Sequence, residues 1–256
     1  MIKPFASVAD QPVLVVGGAR GIGLAIATRL AEQNALLSLT ARKREDANQA
    51  AAEISAATGN PAVTGLQLDV TRDTADTLEH WFDTHGLPQT MVYNAGVSPV
   101  YERPEKITDT DWDSIIATNL TGAFVAARTY ANRLIEAEKP GSIVYVNSIA
   151  GLIGSPRLSA YTASKHGLTG LVKNLAMEWA PNNIRVNAIA PGWVRTDLTA
   201  GLQQNPVLEQ RLIDMVPMGY LANPEDVADV AVFLCSDSAR YVTGATWSVD
   251  GGMTCG

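Results

Sequence analysis

The sequence predicts an α/β chain built as one doubly wound, parallel sheet with helices on both faces. Three observations predict it. Seven short apolar runs recur along the chain, at Pro12–Val16, Leu36–Thr40, Ala62–Leu68, Thr90–Tyr93, Ser142–Asn147, Ile184–Ala190 and Ala245–Val249. Several are apolar on both faces, as strands covered from two sides must be. Longer stretches of helical period separate them, so strand and helix alternate from end to end.

The elements follow in order. The first run, Val13-Leu14-Val15-Val16, enters a glycine turn, and a helical pattern over residues 21–33 leaves it. Residues 45–57, rich in Ala and Glu, and 73–85, opening with Asp73 and Asp76, form the next two helices. Two long helices show the strongest spacing. Residues 119–138 carry Leu120, Ala123, Phe124, Ala127, Ala131 and Leu134, and residues 158–180 carry Leu168, Leu171, Val172, Leu175 and Trp179. Both repeat at three- and four-residue intervals, one face of a helix. Residues 192–222, with Pro206, Pro217 and several glycines, break the rhythm. They are expected to be a small substrate-loop insertion, a lid near the carboxyl edge of the sheet where ligands bind in such folds. Val227–Cys235 returns to an apolar helix.

The 256 residues suffice for one domain with a sizeable core, and residues 1–256 are read as that single domain. A net charge of −7 argues against nucleic acid as a partner, since a phosphate backbone selects a basic face. Only two cysteines, Cys235 and Cys255, fit a reducing compartment. The start, Met1-Ile2-Lys3-Pro4-Phe5-Ala6, lacks the apolar centre of a signal peptide, and no apolar run reaches membrane-spanning length. The chain is therefore expected to be cytoplasmic, with no membrane partner. His80, His85 and His166 are scattered without metal-ligand spacing, so no metal is expected.

Chemistry concentrates in a few segments. In Gly17-Gly18-Ala19-Arg20-Gly21-Ile22-Gly23, small residues join the first strand to the first helix. Gly17 permits a tight turn, Gly21 lets backbone approach a pyrophosphate, and Gly23 lets the helix sit close to the sheet. The helix start then offers unpaired N–H groups to phosphate. A strand, this turn and a helix make a Rossmann-type dinucleotide site. At the end of the second run, Ala41 stands where an NAD-selective carboxylate would meet the ribose 2′-hydroxyl. Arg42 follows it, and Arg20 lies in the turn. Guanidinium forks suit a 2′-phosphate, so the cofactor is expected to be NADP(H).

Tyr161 and Lys165 lie one helical turn apart on a common face. Reducing a carbonyl needs a proton donor at its oxygen, and a phenol titrates too high to cycle easily near neutrality. A neighbouring ammonium is expected to lower it. Ser148 closes the fifth run, 13 residues before Tyr161, where a hydroxyl can orient a carbonyl and steady developing alkoxide charge.

The glycine spacing, Asn94-Ala95-Gly96, Asn119, Ser148, the Tyr161/Lys165 pair and Pro191-Gly192 occur in order along the whole chain. In this they resemble the short-chain dehydrogenase/reductase family, particularly its 3-oxoacyl carrier-protein reductases and carbonyl reductase/alcohol dehydrogenase members. The resemblance implies an oxidoreductase moving a hydride between nicotinamide and a ketone or secondary alcohol. Tyr161 would be the acid/base, Ser148 the donor to the substrate oxygen, and Asn119 the residue that holds a water against Lys165. It places Asp69-Val70 at the adenine, Gly96 beside the ribose, and the segment Pro191-Gly192-Trp193-Val194-Arg195-Thr196 along the nicotinamide, with Thr196 at the carboxamide. Val242-Thr243-Gly244 and Val249-Asp250-Gly251-Gly252 are similar to the family's closing strand. Two positions depart from the pattern. Val16 replaces the Thr whose hydroxyl ties the glycine turn, so that turn must be held otherwise, and Tyr93 stands where a second Asn is usual.

The family further implies a homotetramer paired through the two long helices. Loop residues Val97, Tyr101, Ile149, Leu152, Ile153, Trp193, Leu198 and Leu202 are expected to line the substrate pocket, and their apolar character fits an uncharged ketone or alcohol. A 3-oxoacyl carrier-protein substrate is the alternative, weakened by the uncharged turn Ala180-Pro181-Asn182-Asn183 and the negative net charge. A sugar or polyol is the third. A nucleotide-sugar epimerase would want a larger C-terminal domain, and a non-catalytic cofactor-binding regulator would lack some of Ser148, Tyr161 and Lys165.

Overall fold

The structure is a computed structural model, and it describes residues 7–98, 100–196, 199, 201 and 205–255. Seven strands form the sheet: β1 Pro12–Val16, β2 Leu36–Ala41, β3 Val63–Gln67, β4 Thr90–Tyr93, β5 Gly141–Val146, β6 Ile184–Pro191 and β7 Thr246–Val249. Their order is β3-β2-β1-β4-β5-β6-β7, and every pairing is parallel. All seven expected runs are strands. The chain reverses direction across the sheet between β1 and β4, whose ends meet at Val16 and Tyr93. A crevice opens at such a switch point, beyond the carboxyl ends of the strands.

Eight α-helices are described: α1 Gly21–Glu32, α2 Arg44–Thr58, α3 Thr74–His85, α4 Asp109–Ile116, α5 Gly122–Glu136, α6 Ser159–Trp179, α7 Pro206–Asp214 and α8 Pro224–Cys235. Strand side chains alternate between two cores. Val13 and Val15 face one core with Ile26, Leu30, Ile54 and Val232, under α1, α2 and α8. Leu14 and Val16 face the other with Leu78, Phe82, Tyr130, Leu168 and Val172, under α3, α5 and α6. Arg29 of α1 bonds Asp229 of α8 at 2.8 Å, and Arg133 of α5 bonds Asp83 of α3 at 2.6 Å, each tying neighbouring helices on one face.

Two expectations need adjustment. The helix expected at 119–138 begins at Asp109, where Thr108 accepts a hydrogen bond from Asp111 N at 3.1 Å. It is interrupted by a π turn over Ala117–Thr121 before α5 resumes. The polar stretch Asp109–Ser114 carries too few apolar residues to announce α4. The helix expected at Val227 starts three residues earlier, with Pro224 in its first turn and Asp226 Oδ2 accepting from Asn223 N at 2.8 Å. Residues 192–222 contain α7 and a third small core, Leu212, Val216 and Leu221 packed with Trp193, Ile213 and Met253.

Candidate active site

The glycine turn is tight for stated reasons. Gly17 has φ of +79°, and a β-carbon there would stand 2.8 Å from Ala95 N. A β-carbon on Gly23 would strike the carbonyl of Gly17 and the amide of Asn94. The missing Thr of the turn is replaced from the neighbouring strand. Thr40 of β2 accepts from Gly17 N through its hydroxyl at 3.0 Å and from Gly18 N through its carbonyl at 3.0 Å. Asn94 donates its amide to Gly17 O at 2.7 Å. Sequence reasoning missed Thr40, a polar residue near the end of β2 that the fold buries.

This turn leads into α1, whose first turn holds no acidic residue and no capping side chain. The unclaimed N–H groups and the glycine cradle fit a dinucleotide pyrophosphate. Arg20 and Arg42 are both exposed near it, Arg20 at the head of α1 and Arg42 just past β2. Asp69 lies two residues beyond β3. Burial raises its carboxyl, but bonds from Thr71 and the charges of Arg72 and Arg42 outweigh that and hold it below its usual value. Val70 is buried beside it. Ile22 packs against the first core. Gly192 meets the start of the C-terminal turn so closely that a β-carbon would lie 2.9 Å from Asp250 Cα. Pro191 ends β6, and Val194 bridges Ala222 in parallel. Thr196 stands over the glycine turn, with its methyl 3.6 Å from where a β-carbon on Gly21 would be.

The proposed catalytic side chains converge beyond β4 and β5. Ser148, at the end of β5, accepts from Ala150 N at 3.1 Å, which fixes its rotamer at the head of a short turn. Its hydroxyl lies close enough to Tyr161 to favour the tyrosinate. Lys165, one turn along α6, is buried and donates to Val146 O at 3.0 Å, with its ammonium 5.6 Å from the Tyr161 ring centre. The loop after Ser148 is pinned to α6 by Thr169, which donates to Gly151 O at 3.0 Å and accepts from Asn147 at 2.8 Å.

The electrostatics differ from expectation. Burial lowers Lys165 to about 8. Burial also pushes Tyr161 above its ordinary value, and the Ser148 bond recovers only part of that. Lys165 therefore does not hold the phenol below its usual range in the protein by itself. The same desolvation that disfavours the ammonium disfavours the tyrosinate.

Asn119 is fully buried in the π turn. Its Oδ1 accepts from Val97 N at 2.8 Å, and its Nδ2 donates to Val97 O at 2.9 Å and Ser164 Oγ at 3.1 Å. The side chain is thus spent on clamping the loop after β4, flanking Gly96 together with Lys165. Ser164 and Tyr93 complete this clamp and were not anticipated. Ser164 donates to Tyr161 O at 2.7 Å, and Tyr93 donates to Thr118 O at 2.9 Å, satisfying a carbonyl within the π turn.

Of the expected pocket side chains, Ile149 is buried, while Leu152, Ile153 and Tyr101 are exposed. Trp193 instead faces a cavity of about 150 Å³ under residues 216–222, beside Val216, Met218 and Tyr220. Leu198 and Leu202 lie outside the described residues.

Comparison with known proteins bears on this geometry. The family model described as enoyl-(acyl carrier protein) reductase matches residues 17–254. The chain is 35% identical over 257 residues to 2-(S)-hydroxypropyl-CoM dehydrogenase 3 of Xanthobacter autotrophicus, covering 96% of this chain and 97% of that one. It is also 35% identical over 246 residues to the 3-oxoacyl-(acyl-carrier-protein) reductase of Chlamydia muridarum, covering 95% and 97%. The crystal structure of a gluconate 5-dehydrogenase from Burkholderia cenocepacia, in complex with NADP and tartrate, superposes with a TM-score of 0.93 at 27% identity, covering 98% of each chain.

Proposed function

The chain belongs to the short-chain dehydrogenase/reductase family of oxidoreductases, and from that premise we propose that it is NADP(H)-dependent and interconverts a ketone and a secondary alcohol. One observation carries the reading: Ser148 neighbours Tyr161, and the buried Lys165 ammonium, one turn along α6, stands 5.6 Å from the Tyr161 ring centre, beyond the glycine turn. When bound, the nicotinamide cofactor supplies or accepts the hydride. Gly17, Gly21 and Gly23 leave room for its pyrophosphate at the head of α1, and Arg20 and Arg42 offer forks to a 2′-phosphate where Ala41 provides no carboxylate. Asp69 and Val70 border the adenine side, Asn94, Ala95 and Gly96 the ribose, and Pro191, Gly192, Val194 and Thr196 the nicotinamide. NADP in the Burkholderia structure supports the choice of cofactor.

The chain's own groups handle the proton. Ser148 donates to the substrate carbonyl oxygen and holds it beside Tyr161. Tyr161 gives its proton to that oxygen in reduction and takes it back in oxidation. The Lys165 ammonium steadies the tyrosinate left behind, which desolvation alone would oppose. Asn119 keeps the loop after β4 against Lys165, the frame for the water its family role implies. Within the lid expected over 192–222, Trp193 and Thr196 would flank the substrate, and the ketone has apolar groups near Ile149, Leu152 and Ile153. The Chlamydia relative keeps a 3-oxoacyl carrier-protein substrate as the second reading, and the Burkholderia neighbour keeps a sugar acid or polyol as the third.

The test is loss of reduced-nicotinamide absorbance with NADPH or NADH against aryl ketones, diketones, 3-oxoesters and keto-sugars. Wild type should oxidise NADPH with at least one class and Tyr161→Phe should not. Equal or better rates with NADH would reject the cofactor assignment, and retained activity in Tyr161→Phe would reject the proton donor.

A further inference from the structure

We propose that Arg157, stacked on Tyr101, forms an anion-binding lip at the mouth of the cleft, and that the substrate carries a carboxylate remote from its reacting carbonyl. The inference rests on the oxidoreductase reading above and adds a substrate class to it.

Arg157 lies in the loop between Ser148 and Tyr161, four residues before the tyrosine, and it is the one charged residue in that loop. Tyr101 lies in the loop leaving β4, and β4 pairs directly with β5, which ends two residues before Ser148. The two loops are joined there. Glu102 N donates to Arg157 O at 3.0 Å, and the Arg157 guanidinium carbon sits 5.6 Å from the Tyr101 ring centre. A guanidinium held over an aromatic ring by cation–π attraction keeps N–H donors free for a second partner. Both side chains are open to solvent, Tyr101 at 66%.

Three further facts separate this arginine from an ordinary surface charge. Its φ is +66°, a left-handed conformation that glycine adopts more easily, so a guanidinium is kept where the backbone disfavours any side chain. Among the described residues it makes no ion pair, whereas Arg195, in the segment after β6, is engaged by Glu209 at 2.6 Å. The neighbouring charges cancel in number, Glu102 with Arg103 and Glu105 with Lys106. Glu102 turns its carboxylate back to Arg103 N at 2.8 Å. A chain of net charge −7 repels anions overall, so an unpaired cation at that lip is the local group able to hold one. A planar fork fits a carboxylate with two parallel bonds. Leu152 and Ile153, exposed in the same loop at 36% and 39%, supply an apolar span between the reacting carbon and the charge. The proposal departs from the uncharged ketone or alcohol expected from the loop residues by adding a charge at the rim.

The experiment uses matched pairs: levulinate and its two next longer homologues, each beside its methyl ester, with NADPH and the wild type, Arg157→Gln and Tyr101→Leu proteins. In wild type the acid of at least one pair should show kcat/KM about tenfold above its ester, and raising salt from about 20 mM to about 500 mM should shrink that preference. Arg157→Gln should abolish the preference through KM, leaving kcat on the ester unchanged, and Tyr101→Leu should weaken it. Equal use of acid and ester at every length, survival of the preference in Arg157→Gln, or turnover of other ketones but none of these six compounds would each overturn the anion lip alone. An absence of NADPH oxidation with every ketone tested would instead remove the oxidoreductase reading beneath it.

Discussion

Thr40 and Lys165 show how single side chains set the site. Thr40 replaces the hydroxyl that Val16 cannot supply, and does so across strands rather than within the turn. Thr40→Val is expected to leave Gly17 N buried without its acceptor, at about 1–3 kcal/mol. Thermal unfolding should show the loss, NADPH affinity should weaken several-fold, and Thr40→Ser should restore both; wild-type affinity in Thr40→Val would refute the assignment. Lys165 carries a pH signature. Its folded value of about 8 lies below the 10.5 of an exposed lysine, so between those values the unfolded chain binds the extra proton. Stability of the ligand-free protein should therefore rise from pH 8 towards pH 10 relative to Lys165→Met, by up to about 3 kcal/mol. Parallel pH profiles of urea midpoints for the two proteins would sink this reading. Both residues were visible as polar types in the sequence, but only contact across 23 residues revealed what Thr40 does.

The element that most distinguishes the site is the π turn between α4 and α5. Extra residues in a helix displace carbonyls from their usual donors, and such turns recur at functional sites. Here Tyr93 donates to Thr118 O, and Gly122 packs so close that a β-carbon would stand 2.9 Å from the Tyr93 hydroxyl. The hydroxyl of a fully covered tyrosine, held well above its ordinary titration by burial and the nearby Tyr145, stays a donor at all relevant pH. Tyr93→Phe should cost about 1–2 kcal/mol of stability. It should also lower kcat several-fold with little change in KM, because Asn119 rides on that turn. Unchanged kcat in a correctly folded Tyr93→Phe protein would show that the bond is structural only. Leu120, Ala123 and Phe124 reported helix here, but side-chain periodicity carries no mark of a π turn. Its one sequence trace was Tyr93 in place of the usual Asn.

At the scale of the molecule, two cores of opposite strand faces make a rigid frame, while α5 and α6 leave a shallow groove of about 420 Å³ lined by Leu120, Phe124, Gly167, Gly170 and Leu171. Phe124 and Met177 are exposed on these helices, Met177 at 81%. We expect these helix faces to pair in a homotetramer, the assembly that the family resemblance implies. Light scattering after size exclusion should give four chains, and Phe124→Glu should reduce that number; a monomeric wild type would reject the assembly. Among the described residues no helix is long and apolar enough to cross a membrane.

The sequence by itself determined the seven strands, most of the helices, and the positions of Gly17, Ser148, Tyr161 and Lys165, because periodicity and short motifs are local properties of the chain. It did not determine α4, whose polar first turns have no apolar stripe, or the direction in which Tyr161 and Lys165 titrate, which depends on burial by segments distant in sequence. Thr40 on the glycine turn, Tyr93 on the π turn and Arg157 on Tyr101 belong to the tertiary structure alone. Each is a contact between residues 23 to 56 positions apart that only the closed sheet brings within reach.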